Sequence, residues 1–136
     1  MSNAAATQGA HHIGLTVPDL AATRSFFVNT LGFNQVGEVP DYPAVFVSDG
    51  ATMVTLWQVA DPATARAVDR SNNIGLHHLA LKVADAATLD NLARRLAADS
   101  TVAIEFSPES LGGGPTQHMM CTIPGGIRLE LIAPVG

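Results

Sequence analysis

Ile13, Leu15 and Val17 alternate with His12, Gly14 and Thr16, the period-two pattern of a strand with one buried face. Pro18 and Asp19 then supply a stop and an N-cap. Leu20, Phe27 and Leu31 fall on one helical face that runs to Gly32 as a C-terminal stop. A strand near Asn34–Val39 and a hairpin follow. The hairpin is signalled by the apolar runs Val45–Ser48 and Thr52–Val59 on either side of Asp49-Gly50.

The second half repeats this order. Leu79, Leu81 and Val83 share one strand face and His78, Ala80 and Lys82 the other, and Asp85 caps the next helix. In that helix Leu89, Leu92, Ala93 and Leu96 form a packing stripe, with Arg94, Arg95 and Asp99 left to solvent. Strands at about Val102–Phe106, Gln117–Ile123 and Ile127–Ala133 follow, the last two joined by a turn at Pro124–Gly126. The polar stretch Asp61–Gly75 reads as a linker with a short helix over residues 62–70.

The two halves are a duplication: "HHIGLTVPD" at His11–Asp19 recurs as "HHLALKVAD" at His77–Asp85, a shift of 66 positions. The division expected is a flexible tail over 1–10 and one domain over 11–136. Within it, module one spans 11–60, the linker 61–75 and module two 76–136.

With 136 residues, 47% of them hydrophobic, the chain can fill one sizeable core. A net charge of −5 with only seven Lys plus Arg argues against a surface that tracks nucleic-acid phosphates. No apolar run approaches the ~18 to 20 residues that span a bilayer. The N-terminus has no signal-peptide pattern, so a cytoplasmic protein is expected, with no nucleic-acid or membrane partner. Cys121 is the single cysteine, which rules out an intrachain disulfide or thiolate cluster. A metal would be held by nitrogen and oxygen.

Parity places three such ligands together. In the last strand Ile127, Leu129 and Leu131 take the core face, leaving Arg128, Glu130 and Ile132 on the face equivalent to that of His12 and His78. Two imidazoles and one carboxylate form a facial-triad set, which suits Fe, Mn, Ni or Zn and leaves neighbouring positions open for a substrate to chelate.

Strand-helix-three-strand modules in tandem, opening on "HHIGLTVPDL" and closing on "PGGIRLELI", resemble the vicinal oxygen chelate superfamily over nearly the whole chain. That superfamily includes glyoxalase I, extradiol dioxygenases, fosfomycin-resistance thiol transferases, methylmalonyl-CoA epimerase and metal-free bleomycin-resistance proteins. The resemblance implies an α+β fold of two βαβββ modules around a curved, open, eight-stranded mixed-sheet cleft. It puts the metal ligands on His12, His78 and Glu130, with one divalent ion (Fe, Mn, Ni or Zn) as cofactor. It also implies a homodimer, in which the cleft is built either within one chain or from modules of two chains.

The family's fourth ligand position falls on Thr55, where glyoxalase I needs a carboxylate as ligand and base. A threonine cannot fill that role. The expected function is therefore a metal-dependent enzyme binding a small substrate through two neighbouring oxygens, dioxygenase-like or thiol-transferase-like rather than a glyoxalase I lyase. A metal-free protein that sequesters a small molecule is the alternative. Gln58 is a weaker oxygen ligand on the opposite face from Thr55.

Other candidates surround this set. His118, on the seventh strand, is a candidate proton or hydrogen-bond donor beside catalytic Glu130, or else a partly exposed strand histidine. Trp57 and Thr55 are candidates to line the substrate cleft. Arg128 is a candidate for an anionic substrate, or for an ordinary ion pair with Glu130 or solvent. His11 and His77 are read as packing groups or as groups that orient a ligand. Leu111–Gln117 is glycine-rich but lacks the strand-before, helix-after setting of a phosphate loop, and reads as a mobile lip over the cleft.

Overall fold

The computed structural model describes residues 4–135. Residues 1–3 of the expected tail and Gly136 lie outside the described residues. Module one contains β1 (His12–Val17), α1 (Leu20–Ser25), a π-helical turn (Phe26–Thr30), β2 (Asn34–Val39), β3 (Ala44–Ser48) and β4 (Met53–Gln58). Module two contains β5 (Leu79–Lys82), α2 (Ala86–Ala98), β6 (Ala103–Ser110), β7 (Gln117–Thr122) and β8 (Arg128–Ala133).

The strands form two four-stranded mixed sheets, ordered β1-β4-β3-β2 and β5-β8-β7-β6. The eight strands are thus all present, but as two sheets rather than one continuous ladder. In each module the first strand runs parallel to the last, which leaves β1 and β5 as sheet edges. The register makes the duplication explicit: Gly14 pairs with Thr55 in β1/β4, and Ala80 pairs with Glu130 in β5/β8. Thr55 is therefore the structural counterpart of Glu130.

Both helices start as the sequence dictates. Asp19 Oδ1 accepts from the Ala22 N–H at 3.0 Å, and Asp85 Oδ1 from the Thr88 N–H at 2.8 Å. The first helix does not stay α-helical to Gly32. Phe26 and Phe27 are both buried, yet neighbours on an α-helix point about 100° apart. The wider turn resolves this conflict, with the Leu31 N–H reaching the Phe26 carbonyl at 3.1 Å and letting both rings enter the core.

One hydrophobic core runs through both modules, from Leu15, Val17 and Phe27 to Leu79, Leu129 and Leu131. Asp99 is more than the solvated end of a helix. Its Oδ2 accepts from the Thr30 hydroxyl at 2.6 Å, and Arg95 donates to the Thr30 carbonyl at 3.0 Å, which ties α2 to the π turn of module one. The hydroxyls of Thr101 and Thr30 hold the Asp99 carboxyl below its ordinary pKa.

The linker holds no helix over 62–70; it is a series of turns. Asp61 and Asp69 organise it by accepting from the backbone N–H groups of Ala63 and Ser71, both at 3.0 Å. Such Asx turns compete with helix formation. The expected lip over 111–117 is a closed hairpin connection, with the Leu111 N–H donating to the Thr116 carbonyl at 2.8 Å. No helix among the described residues is long and apolar enough to cross a membrane.

Candidate functional site

Module two brings three of the candidate residues together. His78 at the start of the β5 segment, Glu130 in β8 and His118 in β7 meet on the sheet face turned away from the core. Glu130 Oε1 lies 3.2 Å from His78 Nε2, and its Oε2 lies 2.7 Å from His118 Nδ1. Glu130 and His118 are each only 13% exposed, so water screens this pair weakly. The His118 ring also rests on Phe106, with centroids 4.9 Å apart.

The histidine pairs fix tautomers. A guanidinium only donates, so the 3.3 Å contact from Arg128 Nη1 makes His77 Nδ1 an acceptor. The same nitrogen lies 2.8 Å from His78 Nδ1, which must then be the donor. With a neutral His78 ring, Nε2 carries a lone pair facing a carboxylate oxygen at 3.2 Å, a contact that a cation between the two atoms relieves; with the ring protonated the same contact is an ion pair. The spacing is also right, since cis ligands on an octahedral ion with bonds of about 2.1 Å are about 3.0 Å apart. His78 and Glu130 fit as two ligands of a divalent metal, with His77 orienting the first and His118 the second.

The third expected ligand stands apart. His12 is on the first sheet, where its Nδ1 lies 2.9 Å from that of His11. The rings of this pair cross at 84° against 75° for His77 and His78. The arrangement of module two is thus reproduced in module one, without its carboxylate. Among the described residues no three His, Cys, Asp or Glu side chains are gathered to hold a metal ion. One chain presents two of the three expected ligands at one point and the third elsewhere.

Where Glu130 has a counterpart in module one, Thr55 is 3% exposed and its hydroxyl accepts from Trp57 Nε1 at 2.8 Å. Gly14 leaves room above it: a Cβ there would lie 3.2 Å from Thr55 Oγ1. Tyr42 and Phe46 flank Trp57 with ring centroids at 4.7 and 5.9 Å, so this half of the cleft face is aromatic and neutral.

Gln58 is fully occupied elsewhere. Its Oε1 accepts from the Leu20 N–H at 3.0 Å and its Nε2 donates to the Pro18 carbonyl at 2.8 Å, so it clamps the turn into α1 rather than reaching the cleft. Arg128 pairs with Glu105 and not with Glu130. Its Nε and Nη2 donate to the two Glu105 oxygens at 3.0 and 2.8 Å. The hydrogen bond from Arg128, with the charges of Arg128 and Arg70 added, holds the Glu105 carboxyl below its usual range. Arg70 donates to the same carboxylate at 3.2 Å. Arg66 and Arg70 line a groove beside Arg128. Nothing in their sequence setting singled them out, because charged residues in a polar linker are ordinarily solvated.

Residues 9–131 match the model of the Glyoxalase/Bleomycin resistance protein/Dioxygenase superfamily. The chain belongs to this superfamily. Within the superfamily, a 2-epi-5-epi-valiolone epimerase from an Actinomyces species is 30% identical over 144 residues, covering 90% of this chain and 77% of the relative. A glyoxylase/bleomycin resistance protein/dioxygenase domain from Frankia sp. EAN1pec superposes with a TM-score of 0.82 at 22% identity, over 96% of this chain and 94% of that one. A fosfomycin resistance protein from Listeria monocytogenes gives a TM-score of 0.74 at 18% identity, covering 95% of each chain. A lactoylglutathione lyase from Agrobacterium tumefaciens gives 0.69 at 22%, covering 95% of this chain and 96% of that one. At these identities the solved structures establish the shared superfamily fold.

Proposed function

We propose that the protein is a divalent-metal-dependent enzyme acting on a small substrate with two neighbouring oxygens, one a carbonyl, and that it moves a proton on the carbon beside them. The observation that carries this reading is the opposed pair His78 Nε2 and Glu130 Oε1, 3.2 Å apart with both outer atoms already held. His78 and Glu130 would hold the ion (Fe, Mn, Ni or Zn), and His12 from a second copy would complete the set in a homodimer. β1 and β5 are both open sheet edges, which suits such an assembly. When bound, the ion supplies Lewis acidity for the negative charge that develops on the substrate oxygens.

Proton transfer is preferred over oxygenation and thiol addition, the reactions first suggested by a three-ligand set, because of His118 and the epimerase relative. Donation from His118 Nδ1–H to Glu130 leaves Nε2 as a proton acceptor, and no described residue occupies that nitrogen. His118 would take the proton from carbon on its own face of the substrate, and inversion would be completed by a proton delivered from water to the opposite face. Thr55, with its hydroxyl bound to Trp57, offers no base, so lactoylglutathione lyase turnover should be negligible. The 30% identical relative is named for an epimerisation, a reaction of this class.

Metal analysis of protein purified without added metal, on wild type and His78→Ala, tests the centre. A stoichiometric transition metal lost in the variant is expected, and full occupancy in the variant would refute the ligand assignment. Solvent-deuterium uptake into 2-epi-5-epi-valiolone tests the reaction class. One observation favours the metal-free sequestering alternative, the Tyr42, Phe46 and Trp57 cluster. Metal-free protein whose Trp57 fluorescence is quenched by aromatic ligands would select it.

A further inference from the structure

We infer that the groove between the linker and module two binds an oxyanion, a phosphate monoester or carboxylate carried by the substrate. This rests on the reading of His78 and Glu130 as the reacting end. The groove encloses about 730 Å³ and is lined by Arg66, Arg70 and Arg128 together with Asp69, Ser71 and Glu105. Three of the chain's seven cationic side chains therefore face one hollow on a protein of net charge −5.

The carboxylates present do not consume all of these cations. Glu105 is shared between Arg70 and Arg128. Asp69 is engaged by the Ser71 N–H and hydroxyl, both at 3.0 Å, and by the Asn72 N–H at 3.2 Å, so it faces its own turn. Arg66 has no hydrogen-bond or ion-pair partner among the described residues. Arg66 is exposed, so its guanidinium is open to an incoming anion. An arriving oxyanion would satisfy Arg66 and the remaining donors of Arg70, for which the planar guanidinium fork is well matched.

The groove adjoins the reacting end. Arg128 and Glu130 are two residues apart on the same face of β8, about 7 Å along the strand. A second hollow of about 220 Å³ shares Arg66 and Arg128 and extends to Gly14 and Thr16 of β1, so the groove also reaches the module-one face. A substrate holding its neighbouring oxygens at His78 and Glu130 would place its anionic group about 7 Å away, about five to six bonds, the span of a phosphorylated or carboxylated polyol.

Isothermal titration of the full-length protein at low ionic strength with inorganic phosphate, and separately with acetate, tests the inference. Saturable binding of at least one anion is expected, and the stronger binder identifies the group. Arg66→Gln should weaken it about tenfold or more while leaving the melting temperature nearly unchanged, because Arg66 is exposed and makes no hydrogen bond or ion pair among the described residues. Arg66→Lys should recover part of the loss. Metal content should be the same in all three proteins. No binding of either anion to wild type, or equal binding to Arg66→Gln, would overturn the inference. Arg66-dependent anion binding on a protein that never takes up metal would leave the groove standing while the metal reading falls.

Discussion

Removing the His118 imidazole separates its hold on Glu130 from its role in proton transfer. Its Nδ1 sits 2.7 Å from Glu130 Oε2, with each partner 13% exposed, so the bond is short, charged on one side and poorly screened. A hydrogen bond to a charged group contributes about 1.5 to 3 kcal/mol. Loss of a group that orients a metal ligand commonly costs about 10- to 100-fold in metal affinity. The two figures agree, since about 1.4 kcal/mol is tenfold. His118→Ala should therefore bind metal about 10- to 100-fold more weakly in a chelator-competition titration. Losing the ring packing on Phe106 should also lower stability by about 0.5 to 1.5 kcal/mol, so the titration belongs well below the melting transition. His118→Asn keeps an N–H donor near the Nδ1 position for the carboxylate and should regain most of the affinity. It cannot accept the substrate proton, however, and turnover in both variants should fall by about 10² to 10⁴. Unchanged metal affinity in His118→Ala would refute the positioning argument, and full turnover in His118→Asn would refute the base.

Three further outcomes follow from individual side chains. Gln58→Leu strips partners from the Leu20 N–H and the Pro18 carbonyl at the start of α1, and should cost about 1 to 3 kcal/mol in chemical denaturation with no change in metal content. Thr55→Glu places a carboxylate opposite Gly14 at the position equivalent to Glu130; in the proposed homodimer it should add a fourth ligand to the proposed metal, seen as tighter metal binding, while the lost Trp57 bond lowers stability by about 1 kcal/mol. Cys121 is buried, and burial raises its thiol from an ordinary 9.0 to about 11. At pH 8 only about one native thiol in a thousand is ionised, so a thiol reagent should react after unfolding and not before. Because the unfolded thiol ionises first, its contribution to native stability is lost as pH rises above about 9.

Much of this was legible in the sequence because period-two parity carries both the core and the cleft. Ile127, Leu129 and Leu131 are all nearly fully buried, and the alternate residue Glu130 meets His78. The internal repeat fixed the counterpart of Glu130 as Thr55, and the strand register agrees. Three things were not legible, each because it depends on distance in space. The π turn arises from two adjacent rings competing for one core. Gln58 was assigned to the correct face, but its partners lie some forty positions away. The separation of His12 from Glu130 depends on how the sheets sit, which no local pattern encodes. The linker misled in the other direction, since residues 62–70 have helix-compatible composition yet Asp61 and Asp69 commit them to turns.

That linker has a consequence for how this molecule can change. It carries Arg66 and Arg70, yet it contributes no strand or helix, and its apolar residues Val68 and Ile74 remain largely outside the core. Its shape comes from short carboxylate-to-backbone links that reach only two or three positions along the chain. Replacing Arg66 therefore asks little of the rest of the protein, whereas Arg70 is tied to Glu105 of β6 and Glu130 sits on a strand whose other face is in the core. The proposed anion contact and the proposed reacting groups thus lie on parts of the chain with different tolerance. A library confined to residues 62–74 could vary what is bound at small risk to folding, while the reacting groups stay in place.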